Sequence, residues 1–231
     1  MQDQRPVRAI AVPISGEYPS ASLAGNKVLQ DTYRLLSMCL GFSALVAGAS
    51  TALKLPHPGI LLTLGGYFGL LYLTHRNRNS GWGLVSVFAL TGFMGYTIGP
   101  ILSAYLSLSN GPALVAATLA ATSVSFLGLS AYARSRAAPD MSRYGSLLLV
   151  GIVTAFVLGL AAIFFQLPAL SLAVSAMFVM LMSGLIMYET QNILNGGETN
   201  YIMATVTLFV AIYNLFISLL QLSGFLFGED G

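Results

Sequence analysis

The polar residues between the last two apolar segments are the first place to look for chemistry in this chain. The stretch YETQNILNGGETNY, residues 188–201, holds two carboxylates, several amides and two glycines between segments that carry no charge. Glu189 is the one acidic residue that falls within an apolar segment, and Asn192 lies on the same helical face. Burial and the negative end of a helix both oppose the charge of a carboxylate, so Glu189 is a candidate pH-sensing group. The alternative is an interfacial carboxylate that simply reaches water.

A second set of polar residues follows one face of the last apolar segment. Its members are separated by seven, four and three positions, which keeps them on one side of a helix: Thr207, Asn214, Ser218 and Gln221. Amides in contact with lipid are costly, so this stripe is predicted to face the bundle interior or a wet cavity. Hydrogen bonds between helices and a polar pathway through the bundle both fit the pattern. With Glu189 and Asn192, the stripe forms the predicted polar core.

The histidines and the cysteine show no pattern typical of an enzyme or a metal site. His57 and His75 lie at segment ends, and neither has a partner at the spacing of an HExxH motif. No serine–histidine pair or intramembrane aspartate supports a hydrolase mechanism. Cys39 is the only cysteine, so no intramolecular disulfide can form. The sequence therefore predicts no catalytic residue, metal or cofactor, and a net charge of +2 gives no indication of a nucleic-acid partner.

The composition is that of an integral membrane protein. Hydrophobic residues make up 56% of the 231 positions and charged residues 8%, against roughly 25% charged in a soluble domain. Long uncharged runs alternate with polar clusters at intervals that suit helices crossing about 30 Å of hydrocarbon. The runs are continuously apolar, which disfavours a β-barrel. The prediction is an all-α bundle of seven transmembrane helices, at residues 33–53, 58–75, 83–107, 112–133, 144–165, 169–193 and 201–227.

The first 26 residues differ in composition from the rest of the chain. They have no apolar core behind a basic start, so they are not expected to be a cleavable signal peptide. Their prolines, glycines and serines, with little apolar surface, predict a flexible tail. Residues 1–26 are therefore assigned to a flexible cytoplasmic tail, and residues 27–231 to the transmembrane domain.

Lysines and arginines are distributed unequally between the two ends of the predicted helices. Nine of the ten lie on the side of the N-terminus, and Lys54 stands alone on the other side. An excess of basic residues marks the cytoplasmic side of a membrane protein. With seven crossings, the N-terminus is predicted in the cytoplasm and the C-terminus on the opposite side.

Small residues and one proline predict how the second and third helices pack. GGYFG, residues 65–69, and GYTIG, residues 95–99, both contain the GxxxG pattern, which lets helix backbones approach closely in lipid. Pro100 follows Gly99 in the third segment, where proline removes a hydrogen-bond donor and clashes with the preceding turn. A kink or break is therefore predicted at Gly99 and Pro100.

The NGGETN stretch after the sixth segment indicates a turn between two helices. Gly196 and Gly197 tolerate the left-handed conformation that ends many helices. Thr199 or Asn200 can cap the start of the last helix. Glu189 is not needed for this turn, so it remains a candidate for function.

Three motifs carry a resemblance to a known family. TGFMGYTIGPIL, FFQLPALSLAVSA and above all YETQNILNGGETNYIMATVTLFVAIYNLF resemble the Bax inhibitor-1 family of seven-helix membrane proteins, over residues 26–227. The resemblance implies a bundle in which the last helix is central and is wrapped by the other six. It also implies a bacterial inner-membrane protein, in the lipid bilayer with a periplasmic C-terminus. Its partners would be a membrane-anchored ATP-dependent protease of the FtsH type, whose action it modulates, and the accessory proteins of that protease.

The same resemblance implies an alternative function. Other members of the family that this chain resembles act as pH-sensitive calcium leaks, which use an acidic pair between the sixth and seventh helices. The first acid of that pair falls on Glu189, but the second falls on Ala211. One carboxylate with amides is a poor calcium site, because calcium prefers several hard oxygen ligands. Modulation of a protease is therefore expected ahead of ion conduction.

Overall fold

The described part of the chain is helical throughout. The computed structural model describes the backbone of residues 19–228 and the side chains of residues 24–228, so most of the predicted tail, residues 1–18, lies outside the described residues, as do residues 229–231. Within that part there is no strand, which confirms the all-α prediction. A short 3₁₀ turn at Met141–Tyr144 precedes α5. The seven helices are α1 Pro19–Ala52, α2 Ile60–Asn77, α3 Gly81–Leu106, α4 Gly111–Ala133, α5 Gly145–Phe164, α6 Pro168–Leu194 and α7 Tyr201–Phe227.

Six of these helices are long and apolar enough to cross a membrane. The exception is α2, which has 18 residues and ends in a polar turn that contains His75, Arg76 and Asn77. Length and composition therefore support six crossings directly. The seventh crossing remains a prediction.

The first helix begins earlier than the sequence predicted. It starts at Pro19, so the last eight residues of the predicted flexible tail are helical. Proline is favoured in the first turn of a helix, because no intrahelical donor is lost there. The early part of α1 also packs closely on the end of α6, since a Cβ atom at Gly25 would lie 2.7 Å from the carbonyl oxygen of Leu194. This contact, with buried Leu29, accounts for a helix where composition alone suggested a flexible chain.

The last helix is among the most buried in the bundle. It packs against α1, α3, α4 and α6, while α2 packs on α3 and α5 packs on α6. Leu208, Phe209 and Leu215 of α7 are almost inaccessible to solvent. These contacts involve four of the other helices, and a last helix wrapped by all six stays a prediction.

The glycines of α3 bring it close to α1, as the GxxxG pattern predicted. A Cβ atom at Gly95 would lie 2.4 Å from the carbonyl oxygen of Ser43, and one at Gly99 would lie 2.4 Å from Cβ of Ser50. The prediction for α2 was wrong, because Gly65 and Gly69 face open space with no atom within 4 Å of a Cβ position. Close approach through the glycines of a GxxxG pattern is thus observed between α1 and α3, whereas α2 meets α3 at Gly66, where a Cβ atom would lie 2.4 Å from the Phe93 ring.

Pro100 lies inside α3 without interrupting it. The helix is continuous from Gly81 to Leu106, so the structure contains no break at Gly99 and Pro100. The proline has no N–H to donate to the carbonyl of Tyr96, and that carbonyl instead accepts a hydrogen bond from the Ser50 hydroxyl over 3.1 Å. A neighbouring residue on α1 therefore compensates for the donor that the proline lacks.

Candidate functional site

The turn between α6 and α7 is built by two residues. Gly196 has a φ angle of +76°, in the left-handed region that favours glycine. The Asn200 side chain accepts from the backbone N–H groups of Ile202 and Met203 over 3.0 and 3.1 Å, so Asn200 rather than Thr199 caps α7. The capping amide also donates to the carbonyl of Arg78 over 3.0 Å, which joins this turn to the α2–α3 loop.

Glu189 lies near the end of α6 and is buried. Only 5% of its surface is exposed, which argues against the alternative of an interfacial carboxylate that reaches water. Among the described residues, its one hydrogen bond comes from the Asn192 amide over 3.4 Å. The single ion pair found there joins Arg34 to Asp31, so no cation is paired with Glu189 within the described chain.

The stripe on α7 divides into residues with different surroundings. Gln221 accepts from Ser175 over 2.8 Å and donates to Ser171 over 2.5 Å, so it links α7 to α6. The Thr207 hydroxyl bonds its own helix through the carbonyl of Met203. Hydrogen bonding between helices is therefore observed at Gln221 and not at Thr207.

Asn214 and Ser218 face a cavity between helices. This cavity has a volume of about 450 Å³ and lies between α2, α5, α6 and α7, with His57 at its edge. A second cavity of about 320 Å³ adjoins it at Asn214 and extends to Thr97 and Tyr213, whose hydroxyls lie 3.1 Å apart. The Asn214 amide donates to the carbonyl of Val210 over 2.8 Å. Both cavities are lined mainly by apolar side chains, so Asn214 and Ser218 are polar groups on otherwise apolar walls.

The predicted polar core is therefore two separate groups. Glu189 and Asn192 lie at the end of α6, next to the turn that starts α7, and neither lines the two cavities. Gln221 lies about 20 residues beyond the start of α7, which is about 30 Å along a helix. The two groups are apart because residues on two antiparallel helices meet only when they lie at the same depth, and a role for either group stays a prediction.

Three polar residues of this region were missed in the sequence. The Gln191 side chain donates to the carbonyl of Pro139 over 2.9 Å and accepts from the N–H of Met141 over 2.9 Å, so it fastens the loop before α5 to α6. Gln191 lies two residues after Glu189 in the polar stretch, so its position in the sequence could have indicated it as a candidate. Serine is common in apolar helices, and nothing in the spacing of Ser171 and Ser175 distinguishes them from other serines.

Ala211 lies in an apolar cluster. It is fully buried and packs with Met182, Ile186 and Leu215. A second carboxylate at this position would be surrounded by aliphatic side chains rather than by oxygen ligands. Among the described residues, no three His, Cys, Asp or Glu side chains are grouped so that they could hold a metal ion.

Comparison with known proteins gives consistent matches over nearly the whole chain. Residues 25–228 match the family described as Inhibitor of apoptosis-promoting Bax1. The chain is 51% identical over 203 residues to a protein of Escherichia coli strain K12 named Modulator of FtsH protease YccA, covering 88% of this chain and 92% of that protein. The same values hold for a protein of Escherichia coli O6:H1 named Inner membrane protein YccA. An uncharacterized protein of Pseudomonas aeruginosa is 50% identical, with 88% of this chain and 91% of the relative covered.

Proposed function

Because this chain belongs to the Bax inhibitor-1 family of membrane proteins, we propose that it binds and restrains a membrane-anchored ATP-dependent protease of the FtsH type. It does so without catalysing a reaction of its own. The observation that carries this proposal is the 51% identity to a protein named as a modulator of that protease, in an alignment that covers 92% of that protein. Accessory proteins of the protease are expected in the same complex.

The packing of the bundle offers a physical reason for restraint. A protease that pulls on the N-terminal end must separate α1 from α3, α6 and α7, against which it packs. The Ser50 and Thr51 hydroxyls of α1 are bonded to carbonyls of α3 over 3.1 Å, and these bonds would be lost. Helices drawn out of lipid also expose backbone groups that cost several kcal/mol each. A substrate that is gripped readily but extracted slowly occupies the protease and competes with others.

The site of the grip would be the segment before α1, residues 1–18, which lies outside the described residues. Deleting residues 2–18 should lengthen the lifetime of this protein in cells. If binding through the membrane part persists, the deletion should also slow the degradation of a second membrane substrate. The matched control is deletion of residues 229–231, which are predicted on the other side of the membrane.

The experiment measures both half-lives and co-purification with the protease in its inactive form. A retained complex with longer half-lives for both proteins supports restraint. Unchanged half-lives, together with no co-purification of the protease, would remove the support for the proposal. The test is specific because the two deletions leave all seven helices in place.

The location that we propose is the bacterial inner membrane, with a cytoplasmic N-terminus and a periplasmic C-terminus. The nine-to-one distribution of basic residues supports this orientation. The same distribution places the α2–α3 loop, with Arg76 and Arg78, on the cytoplasmic side, and this placement needs α2 to cross the membrane. The Tyr96 hydroxyl bonds the carbonyl of Pro56, which fixes the α1–α2 loop beside the later part of α3.

A pH-sensitive ion leak is the second candidate, and the adjoining cavities at Asn214 favour it. It ranks lower because Ala211 occupies the position of the second acid and packs among aliphatic side chains. Calcium flux through vesicles that contain the purified protein decides between the two functions. Little flux together with co-purification of the protease supports the first.

A further inference from the structure

A groove runs along the lipid-facing side of the bundle between α1 and α4. Both helices pack against α7, which forms the floor of the groove. The apolar part has a volume of about 390 Å³. Its walls include Leu40, Ala44 and Gly48 from α1 and Leu119 from α4, and its floor includes Phe216.

The groove continues toward the end of the bundle that carries most of the basic residues. A second hollow of about 330 Å³ shares Leu40 and Ser123 with the first and extends to Tyr33 and Ser37. The same Tyr33 and Ser37 line a third hollow of about 650 Å³. The three hollows therefore form one path along α1, from an apolar end to a polar end.

The polar end is positively charged. It is lined by Lys27, Arg34 and Arg134, while Asp31, paired with Arg34 over 3.7 Å, is the one acid in contact with these cations in the described chain. The guanidinium of Arg134 lies over the Tyr33 ring at 5.8 Å from its centroid, which holds this cation beside α1. The Tyr33 hydroxyl has no hydrogen-bond partner among the described residues, although the oxygen is buried.

The depth of these cations matches that of lipid headgroups. Arg134 directly follows the last residue of α4, where the apolar span ends. From residue 35 to the end of α1 the helix has about 18 residues, or about 27 Å, which is close to the hydrocarbon thickness of about 30 Å. An acyl chain that lies in the apolar part would thus place its headgroup phosphate beside Lys27, Arg34 and Arg134.

We propose that this groove binds one anionic phospholipid. Lys27, Arg34 and Arg134 hold its phosphate, and one of its acyl chains lies between α1 and α4 on the surface of α7. Basic pockets between transmembrane helices are suited to anionic headgroups, because each cation near the surface adds about 1 kcal/mol of attraction. The inference does not depend on the protease, since it concerns the purified chain alone.

Native mass spectrometry of the delipidated full chain tests the charge requirement. Dioleoyl phosphatidylglycerol should bind at least about tenfold more tightly than dioleoyl phosphatidylcholine, which has the same acyl chains. The triple variant Lys27→Gln, Arg34→Gln and Arg134→Gln should lose this preference. The control triple Arg76→Gln, Arg136→Gln and Arg143→Gln removes equal charge outside the pocket and should keep it. Equal binding of the two lipids by the wild type overturns the proposal. An equal loss of the preference for phosphatidylglycerol in the two triple variants overturns it too.

A groove-filling variant tests the acyl chain. Gly48 lines the apolar part, and a Cβ atom there would meet no atom within 4 Å, so Gly48→Leu places its side chain in the groove. Binding of phosphatidylglycerol should fall several-fold, while Gly128→Leu, at an equally open position of α4 outside the groove, should not change it. Unchanged binding in Gly48→Leu overturns the acyl-chain site. Displacement of the lipid by water-soluble glycerol phosphate at similar concentration identifies a site for free phosphate esters and overturns it too. Melting temperatures of all variants show which of them are folded.

Discussion

The Ser50 hydroxyl of α1 lies 3.1 Å from the carbonyl oxygen of Tyr96, the carbonyl that Pro100 leaves without its helical donor. The close approach of Ser50 to α3 depends on Gly99, because a Cβ atom at position 99 would lie 2.4 Å from Cβ of Ser50. Glycine, proline and serine thus form one arrangement across two helices. The one carbonyl of α3 that lacks a helical donor because of Pro100 is bonded by α1 instead.

Removing the Ser50 hydroxyl should destabilise the bundle only while Pro100 is present. Ser50→Ala is expected to lower the free energy of unfolding in micelles by about 1–2 kcal/mol, because a buried carbonyl loses its partner. In a Pro100→Ala background the alanine N–H can bond Tyr96, so the same change should cost less. Ser123→Ala is the control, since that hydroxyl bonds its own helix. An equal cost in both backgrounds would show that Ser50 does not compensate for the proline.

Two glycines that each belong to a GxxxG pattern should respond oppositely to alanine. Gly95→Ala places a methyl group 2.4 Å from the carbonyl oxygen of Ser43, and we expect a loss of about 1–3 kcal/mol from overpacking. Gly69→Ala meets no atom within 4 Å and should stabilise α2 by up to about 1 kcal/mol through helix propensity. Melting temperatures of the two variants measure the difference. A similar loss in both would mean that α2 also packs through its glycines.

These glycines show what the sequence could and could not predict. Hydropathy and turn residues locate α2 to α7 to within about two residues, because lipid imposes both length and composition, whereas α1 begins 14 residues before its predicted start. The GxxxG pattern predicts a helix face without side chains, but it does not predict whether a neighbouring helix packs on that face. The sequence therefore could not distinguish Gly95 from Gly69. In the same way, spacing placed Asn214 and Gln221 on one face of α7, while the depth of Glu189 relative to them depends on how α6 and α7 pair. Contacts between distant segments, such as Gly25 with Leu194, leave no local signal.

The cap of α7 should make Asn200 more important than its half-buried position suggests. Asn200→Ala loses the acceptor for the N–H groups of Ile202 and Met203 and should cost about 1–2 kcal/mol. Asn200→Asp keeps that acceptor but loses the donor to the carbonyl of Arg78, so its cost should be smaller. Unfolding in micelles should therefore rank the wild type above the aspartate and the aspartate above the alanine. An aspartate variant as unstable as the alanine would place the importance in the link to the α2–α3 loop.

The proposed orientation predicts which ends of the chain reach the periplasm. Alkaline phosphatase folds only outside the cytoplasm, so a fusion after Gly231 should be active and a fusion near Arg136 inactive. Fusion between α1 and α2, at Pro56, should be active because α1 crosses the membrane, and fusion in the α2–α3 loop, at Asn79, should be inactive if α2 crosses as the seventh span. An inactive fusion after Gly231 together with an active one at Pro56 would indicate an odd number of crossings after that loop. Activity near Arg136 together with an inactive fusion at Pro56 would reverse the whole orientation.

The packing of Ala211 predicts how the chain responds to the acid that it lacks. Ala211→Asp places a carboxylate against Met182, Ile186 and Leu215, where desolvation costs several kcal/mol. The variant should unfold in micelles at a lower temperature than Ala211→Ser, a smaller polar control, at neutral pH. Vesicles with the wild-type chain should pass little calcium, and Ala211→Asp that remains folded should pass more, because it supplies the second acid of the pair that the family resemblance implies. Strong flux through the wild type that is abolished by Glu189→Gln would contradict this prediction and would rank the ion leak above protease modulation.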